Sequence, residues 1–156
     1  MSKADGVPIP GYDTGIFAHL GLVFLEAEPD RILGQLDIGP QHLNRMGYVH
    51  GGVLCTMIDA AACCAGLFSP PEGSPRYAVT LSLSIQFTRP VRSGPLTVEG
   101  RVVSAGRTIY TAEARVFDSE NQLVAHGIGT FSWNPGSRPQ DLKLGEDSPS
   151  SSMVVA

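Results

Sequence analysis

No apolar run in this 156-residue sequence is long enough to cross a bilayer. The longest, Val53 to Phe68, has 16 residues and carries Thr56 and Asp59, whereas a span needs about 20 apolar residues. It is expected to be a core helix. Met1 to Pro10 is polar, so no secretory leader is expected there and the cytoplasm is the expected compartment. Cysteine is scarce. Cys55, Cys63 and Cys64 all fall on that one putative helix, a spacing that suits small buried hydrophobes and fits neither a disulfide framework nor a metal site. Positive charge is scarce as well. A formal net charge of −4 argues against a general nucleic-acid surface. Internal repeats are absent, and no appended DNA-binding segment is visible.

What is present suits one globular domain with a sizeable core: 42% hydrophobic and 17% charged residues. The sequence divides into an arm over residues 1–15, a domain over 16–134 and a tail over 135–156. The arm and the tail are rich in Pro, Gly and polar residues and are expected to be mobile. A short helix is expected near Ile16 to Leu20. Leu20 to Glu28 and Arg31 to Ile38, separated by Pro29-Asp30, read as a hairpin with Ile32, Gly34, Leu36 and Ile38 on one face. The helix from Gly51 to Phe68 is apolar almost all round and is therefore surrounded on most sides; Ser69 to Pro75 stops it. Four strand-like runs follow: Tyr77 to Thr88, Leu96 to Ser104, Thr108 to Phe117 and Gln122 to Trp133. In the first, alternation puts Val79, Leu81, Leu83, Ile85 and Phe87 on one face and Thr80, Ser82, Ser84 and Gln86 on the other. In the third, Tyr110, Ala112, Ala114 and Val116 share a face. The expected fold is α+β: a curved antiparallel sheet, its last four strands a meander, wrapped around one central helix.

Chemistry concentrates where Asn44-Arg45-Met46-Gly47-Tyr48-Val49-His50-Gly51-Gly52 opens onto the helix. Two glycines leave the first backbone N–H groups uncovered, and those groups have no partner within the helix. With the helix dipole behind them they favour an anion, or an oxygen that becomes one during a reaction. Eight residues further on sits a lone carboxylate, Asp59, costly in apolar surroundings unless paired or used.

The order Asn-x-x-Gly-x-x-His-Gly-Gly, an Asp nine residues after the His, and the later Phe87-Thr88-Arg89-Pro90 resembles the hot-dog fold. More narrowly it resembles the phenylacetic-acid-pathway type of acyl-CoA thioesterase, from about Leu20 to Trp133. The resemblance implies hydrolysis of an acyl- or aryl-CoA without a metal or redox cofactor, coenzyme A being part of the substrate. It implies that the Gly51 N–H polarises the thioester carbonyl. Asp59 would be the catalytic carboxylate, either as a nucleophile giving a mixed anhydride or as a general base on water. By the same resemblance His50 lies near the thioester or fixes the loop, Asn44 helps position carboxylate or water, and Thr80 orients the water. Alternation instead places Thr80 on the polar, solvent side. Gly52 joins the substrate site, and Arg89, Arg92 and Arg107 are the candidates for the phosphates of coenzyme A. His19, His42 and His126 fall in no pattern. The small residues Ala60 to Ala65 would leave room for an aryl or medium-chain acyl group, the depth of the pocket depending on how the helix packs.

One inference comes from geometry. Gly51 and Asp59 are separated by roughly 12 Å along a helix, while a reacting carbonyl lies about 3 Å from both its oxyanion donor and its attacking group. Gly51 of one chain is therefore expected to face Asp59 of another across a two-fold interface. The resemblance implies the same arrangement, as a homodimer or a dimer of dimers. A non-catalytic acyl-CoA sensing module is the alternative reading, opposed by the presence of Asp59. A dehydratase or hydratase ranks last, since no Asp-x4-His follows the turn.

Overall fold

The computed structural model describes residues 6, 7, 9, 15–67 and 77–134. Phe68, the expected stop at Ser69 to Pro75, the tail and most of the arm lie outside the described residues. Among those residues no helix is long and apolar enough to cross a membrane. Helix α1 (Gly15–Leu20) leads into strands β1 (Val23–Glu28) and β2 (Arg31–Asp37). A 3-10 turn (Pro40–His42) and a loop precede helix α2 (Gly51–Leu67). Strands β3 (Ala78–Phe87), β4 (Pro95–Ala105), β5 (Ile109–Phe117) and β6 (Leu123–Trp133) complete the domain. Every pairing is antiparallel, in one six-stranded sheet of order β1-β2-β4-β5-β6-β3.

The hairpin of β1 and β2 forms at the expected Pro29-Asp30, with Asp30 in the left-handed region at φ 61°. β4, β5 and β6 form a meander, but β3 does not join it as expected. Among the described residues it pairs only with β6, at the far edge. The chain leaving β3 is held there by the Thr88 and Arg89 N–H groups, both donating to the Val124 carbonyl. It then crosses the front of α2, where the Val91 carbonyl accepts from Val49 N–H and the Gly94 carbonyl from Ile38 N–H. That crossing delivers β4 to the free side of β2. In consequence β4 and β5 run beneath the helix.

Inward positions follow the two-residue period. Ile32 and Leu36 on β2, Leu96 and Val98 on β4, and Tyr110, Ala112, Ala114 and Val116 on β5 are all buried. The helix contributes Met57, Ile58 and the run Ala60 to Leu67. At two points along that run the sheet packs directly on the helix. A Cβ at Gly100 would overlap the Ala61 carbonyl, and one at Gly66 would overlap the Tyr110 ring. Tyr110 stacks on Phe131 and packs against Trp133, donates to the Cys63 carbonyl at 2.7 Å, and Trp133 Nε1 donates to the Gly66 carbonyl. Small residues here serve close packing of helix on sheet.

The β3 alternation breaks. Thr80 pairs with Phe131 but Ser82 pairs with Thr130, so Leu81 is an extra, bulged residue. Leu83 and Ile85 keep the inward face, while Val79 and Leu81 are about half exposed, at 47% and 54%. Across the bulge Thr80 changes sides and joins the inward face. On the outer face Arg31 bridges Glu26, Glu28 and Glu99, and Arg101 adds a second ion pair to Glu99. Burial works to raise Glu99, yet hydrogen bonds from the two arginines outweigh it and hold the carboxyl below its ordinary range.

Candidate active site

The loop before α2 is tied down at each residue that shapes it. Asn44 N–H donates to the Tyr48 carbonyl at 2.7 Å, and Gly47 N–H to the Asn44 carbonyl at 2.9 Å. The Asn44 side-chain oxygen accepts from Met46 and Tyr48 N–H at 2.9 and 3.2 Å. This side chain closes the turn on itself, as Asn does in tight loops. Gly47 carries φ 76°, a conformation in which a Cβ is strained. The buried His42 supports the loop from below: its Nδ1 accepts from Gly39 N–H, its Nε2 donates to the Leu20 carbonyl, and its own carbonyl takes the His50 N–H.

His50 then caps α2 with its ring. Nδ1 accepts the Gly52 N–H at 2.9 Å, and the His50 carbonyl accepts from Val53. Bonding at Nδ1 assigns the ring proton to Nε2. The Gly52 N–H is thereby occupied. The Gly51 N–H, which the helix cannot satisfy, meets no acceptor among the described residues. Phe87 lies beside it, 3.4 Å from where a Cβ on Gly51 would stand. The loop thus leaves one polarised backbone donor open beside an aromatic wall.

About one and two turns on, along the same helix face, come Cys55 and Asp59, each partly exposed. Thr80 Oγ1 donates to Asp59 Oδ1 at 2.8 Å. That bond exists because of the bulge at Leu81. One carboxylate oxygen is fixed by it and the other stays open. Burial pushes the Cys55 thiol up, and the Asp59 charge pushes it the same way, so at neutral pH Cys55 is a thiol and not a competing nucleophile.

The basic candidates separate. Arg92 reaches the loop: its guanidinium lies over the Tyr48 ring, 3.9 Å from the centroid, and donates to the Met46 carbonyl at 3.3 Å. Arg89 donates to Gln122 at 3.4 Å, at the same end of the helix. Arg107 sits in the β4–β5 turn beside Thr108, whose carbonyl pairs with Trp133 N–H; this is the far end of α2. His126 pairs with Gln86 and Arg115 in the sheet, and His19 lies on α1. Sequence reasoning missed the His42 support, the His50 ring cap, the bulge and the Tyr48–Arg92 contact. A polar Asn-to-Tyr loop ahead of an uncapped glycine pair carried a signal for the cap alone.

Comparison with known proteins identifies the family. A model of the thioesterase superfamily matches residues 46–125, from the loop to the start of β6. A relative in Mycobacterium tuberculosis is 34% identical over 131 residues, covering 81% of this chain and 92% of its own. Mouse acyl-coenzyme A thioesterase 13 is 25% identical over 124 residues, covering 78% and 84%. The crystal structure of a Haemophilus influenzae thioesterase superposes with a TM-score of 0.72 at 25% identity, over 79% of this chain and 85% of that one. The PaaI protein of the Escherichia coli phenylacetic acid degradation operon shares the fold, with a TM-score of 0.70 at 21% identity over 77% and 84%.

Proposed function

The chain belongs to the thioesterase superfamily and is a thioester hydrolase, and on that premise we propose that it hydrolyses acyl-coenzyme A to the free acid and coenzyme A. The open Gly51 N–H at the head of α2 carries this reading. It offers a fixed donor to an oxygen that becomes negative as the carbonyl is attacked. His50 supports the arrangement by taking the Gly52 N–H and by turning its own Nε2–H outward.

Asp59 acts on the same carbonyl from the partner subunit. Thr80 holds Oδ1, leaving Oδ2 for the reaction, either as nucleophile or to take a proton from water. In both routes the C–S bond breaks, water supplies the new carboxylate oxygen, and the departing thiolate takes up a proton. Two features favour a two-fold pairing that brings Gly51 to the other chain's Asp59. The Cys55–Asp59 face of α2 is partly exposed. The outer edge of β3 is ten residues long and pairs with no strand among the described residues, a state proteins rarely leave exposed. At the opposite edge Val7 N–H already donates to the Phe24 carbonyl.

The deciding experiment is thiol release from a panel of aryl- and fatty-acyl-CoAs, wild type beside Asp59→Asn. Turnover that falls by roughly a thousandfold or more in the mutant, as loss of an attacking group demands, supports the reading. Acyl-CoA binding without release from any panel member would make the chain a sensing module instead.

A further inference from the structure

Tyr48 and Arg92 are 44 residues apart in sequence, yet they form a preassembled unit three residues from Gly51. The Arg92 guanidinium carbon lies over the Tyr48 ring, 3.9 Å from its centroid, and its Nη1 donates to the Met46 carbonyl at 3.3 Å. Gly47, between Met46 and Tyr48, lets the arginine in: a Cβ there would stand 3.1 Å from Nη1. Tyr48 is itself oriented, because its N–H and carbonyl both bond to Asn44. Among the described residues no carboxylate lies within salt-bridge distance of Arg92. Here the ring and the loop carbonyl hold the guanidinium, and Nε and Nη2, a fork of donors, meet no acceptor among the described residues.

Such a fork matches the oxygens of a phosphate. From these contacts we infer that Tyr48 is a positioning residue that holds Arg92 as a ready-made anchor for a phosphate on the carrier arm of the thioester. The inference rests on the thioesterase reading for its ligand. It assigns Tyr48 a role in binding, and it separates Arg92 from Arg107, which lies at the other end of α2 with no such support. The spacing is compatible: three extended residues reach at most about 11 Å, so the anchor lies within that distance of the carbonyl site.

The test uses coenzyme A itself, so that it reads binding whether or not hydrolysis occurs. Dissociation constants are measured by calorimetry for coenzyme A, 4′-phosphopantetheine and pantetheine. The proteins are wild type, Tyr48→Ala, Tyr48→Phe and Arg92→Lys. Tyr48→Ala is expected to weaken coenzyme A by roughly three- to tenfold, the scale of a lost cation–π contact, while Tyr48→Phe keeps wild-type affinity. Arg92→Lys, which retains charge but loses the planar fork, behaves like Tyr48→Ala. Pantetheine, lacking phosphate, binds all four proteins alike. A penalty shared by 4′-phosphopantetheine places the anchor at the phosphate next to pantetheine; one confined to coenzyme A places it at the nucleotide phosphates. Equal weakening of pantetheine by Tyr48→Ala would reduce Tyr48 to a loop support and overturn the inference, as would coenzyme A affinity unchanged in that variant. Failure of hydrolysis with this binding pattern intact would remove the enzymatic reading and leave the anchor standing.

Discussion

Replacing Gly51 by proline takes away the one donor on which the proposed chemistry depends and disturbs little else. Position 51 is the first of α2, where proline's fixed φ suits a helix and its missing N–H breaks no helical bond. No acceptor among the described residues meets that N–H, and the space for a Cβ is open to 3.4 Å at Phe87. His50, as the cap, is already at a position where extended backbone is usual, the conformation a following proline requires. The fold is therefore expected to lose under about 1 kcal/mol. Turnover is another matter. Removing one oxyanion donor costs about 2.7–4 kcal/mol, or roughly 10²–10³ in kcat. Gly51→Ala keeps the N–H and adds the same Cβ, so it should retain most activity and thereby isolate the donor from the side chain. A kcat for Gly51→Pro within about twofold of wild type, at unchanged melting temperature, would refute the assignment of this N–H.

The same variant decides whether the site is shared. Gly51→Pro protein keeps Asp59, and Asp59→Asn protein keeps Gly51. If each site draws one group from each chain, a mixed dimer contains one site with both groups intact and one with neither. Unfolding and refolding the two variants in equal amounts gives half mixed dimers, and so recovery of about a quarter of wild-type activity for a two-fold assembly. If both groups came from one chain, every subunit would lack one of them and the mixture would remain inactive. That outcome would refute the inter-subunit argument while leaving the oxyanion donor in place.

Thr80→Val removes the hydroxyl on Asp59 Oδ1 with little change of shape. Allowing for its exposure to solvent, kcat should fall roughly five- to thirtyfold at constant KM, with Thr80→Ser close to wild type; an unchanged kcat would make the contact incidental. Tyr110 tests the packing toward the far end of α2. Burial holds its phenol far above its ordinary value, so the folded state keeps a proton that the unfolded chain loses above about pH 10. Its contribution is full below that pH and declines as pH rises beyond it. Tyr110→Phe should lose about 1 kcal/mol at pH 7 from the bond to the Cys63 carbonyl and show a shallower loss between about pH 10 and 11 in urea titrations; parallel slopes for the two proteins would contradict it.

Elements whose apolar period is uninterrupted were legible from sequence. The all-round apolar run of α2, the Pro-Asp turn of the first hairpin and the inward rows of β2 and β5 each depend on local pattern alone. The order of strands did not. β3, β4, β5 and β6 look alike in composition, and nothing local says that the chain from Thr88 to Gly94 crosses in front of α2 before β4 begins. Placement of β3 depends on the Val91 and Gly94 carbonyls finding Val49 and Ile38, partners 42 and 56 residues away. Likewise the small residues of α2 carry no mark that tells a helix packed tightly against a sheet from one that leaves a pocket. The distinction lies in Gly100 and Tyr110, on other elements.

For the candidate site the same division holds, and Thr80 shows why it matters chemically. Its neighbours alternate without fault from Val79 to Phe87, so a period-two reading sends its hydroxyl to solvent. One inserted residue defeats that reading, because a bulge conserves the alternating pattern of letters while reversing the face on which part of it lies. Phe131, opposite Thr80, and Thr130, opposite Ser82, fix the insertion at Leu81. Only their register decides it. The result is a hydroxyl beside the single carboxylate of α2, on an edge strand whose other side meets no strand among the described residues. A straight strand would have put Leu81 there instead, leaving Asp59 against a side chain unable to hydrogen-bond. The sequence motif locates the acid and the glycines, which are close in the chain and read together. What orients the acid comes from across the fold, through a departure from regular pairing that no periodic pattern can register.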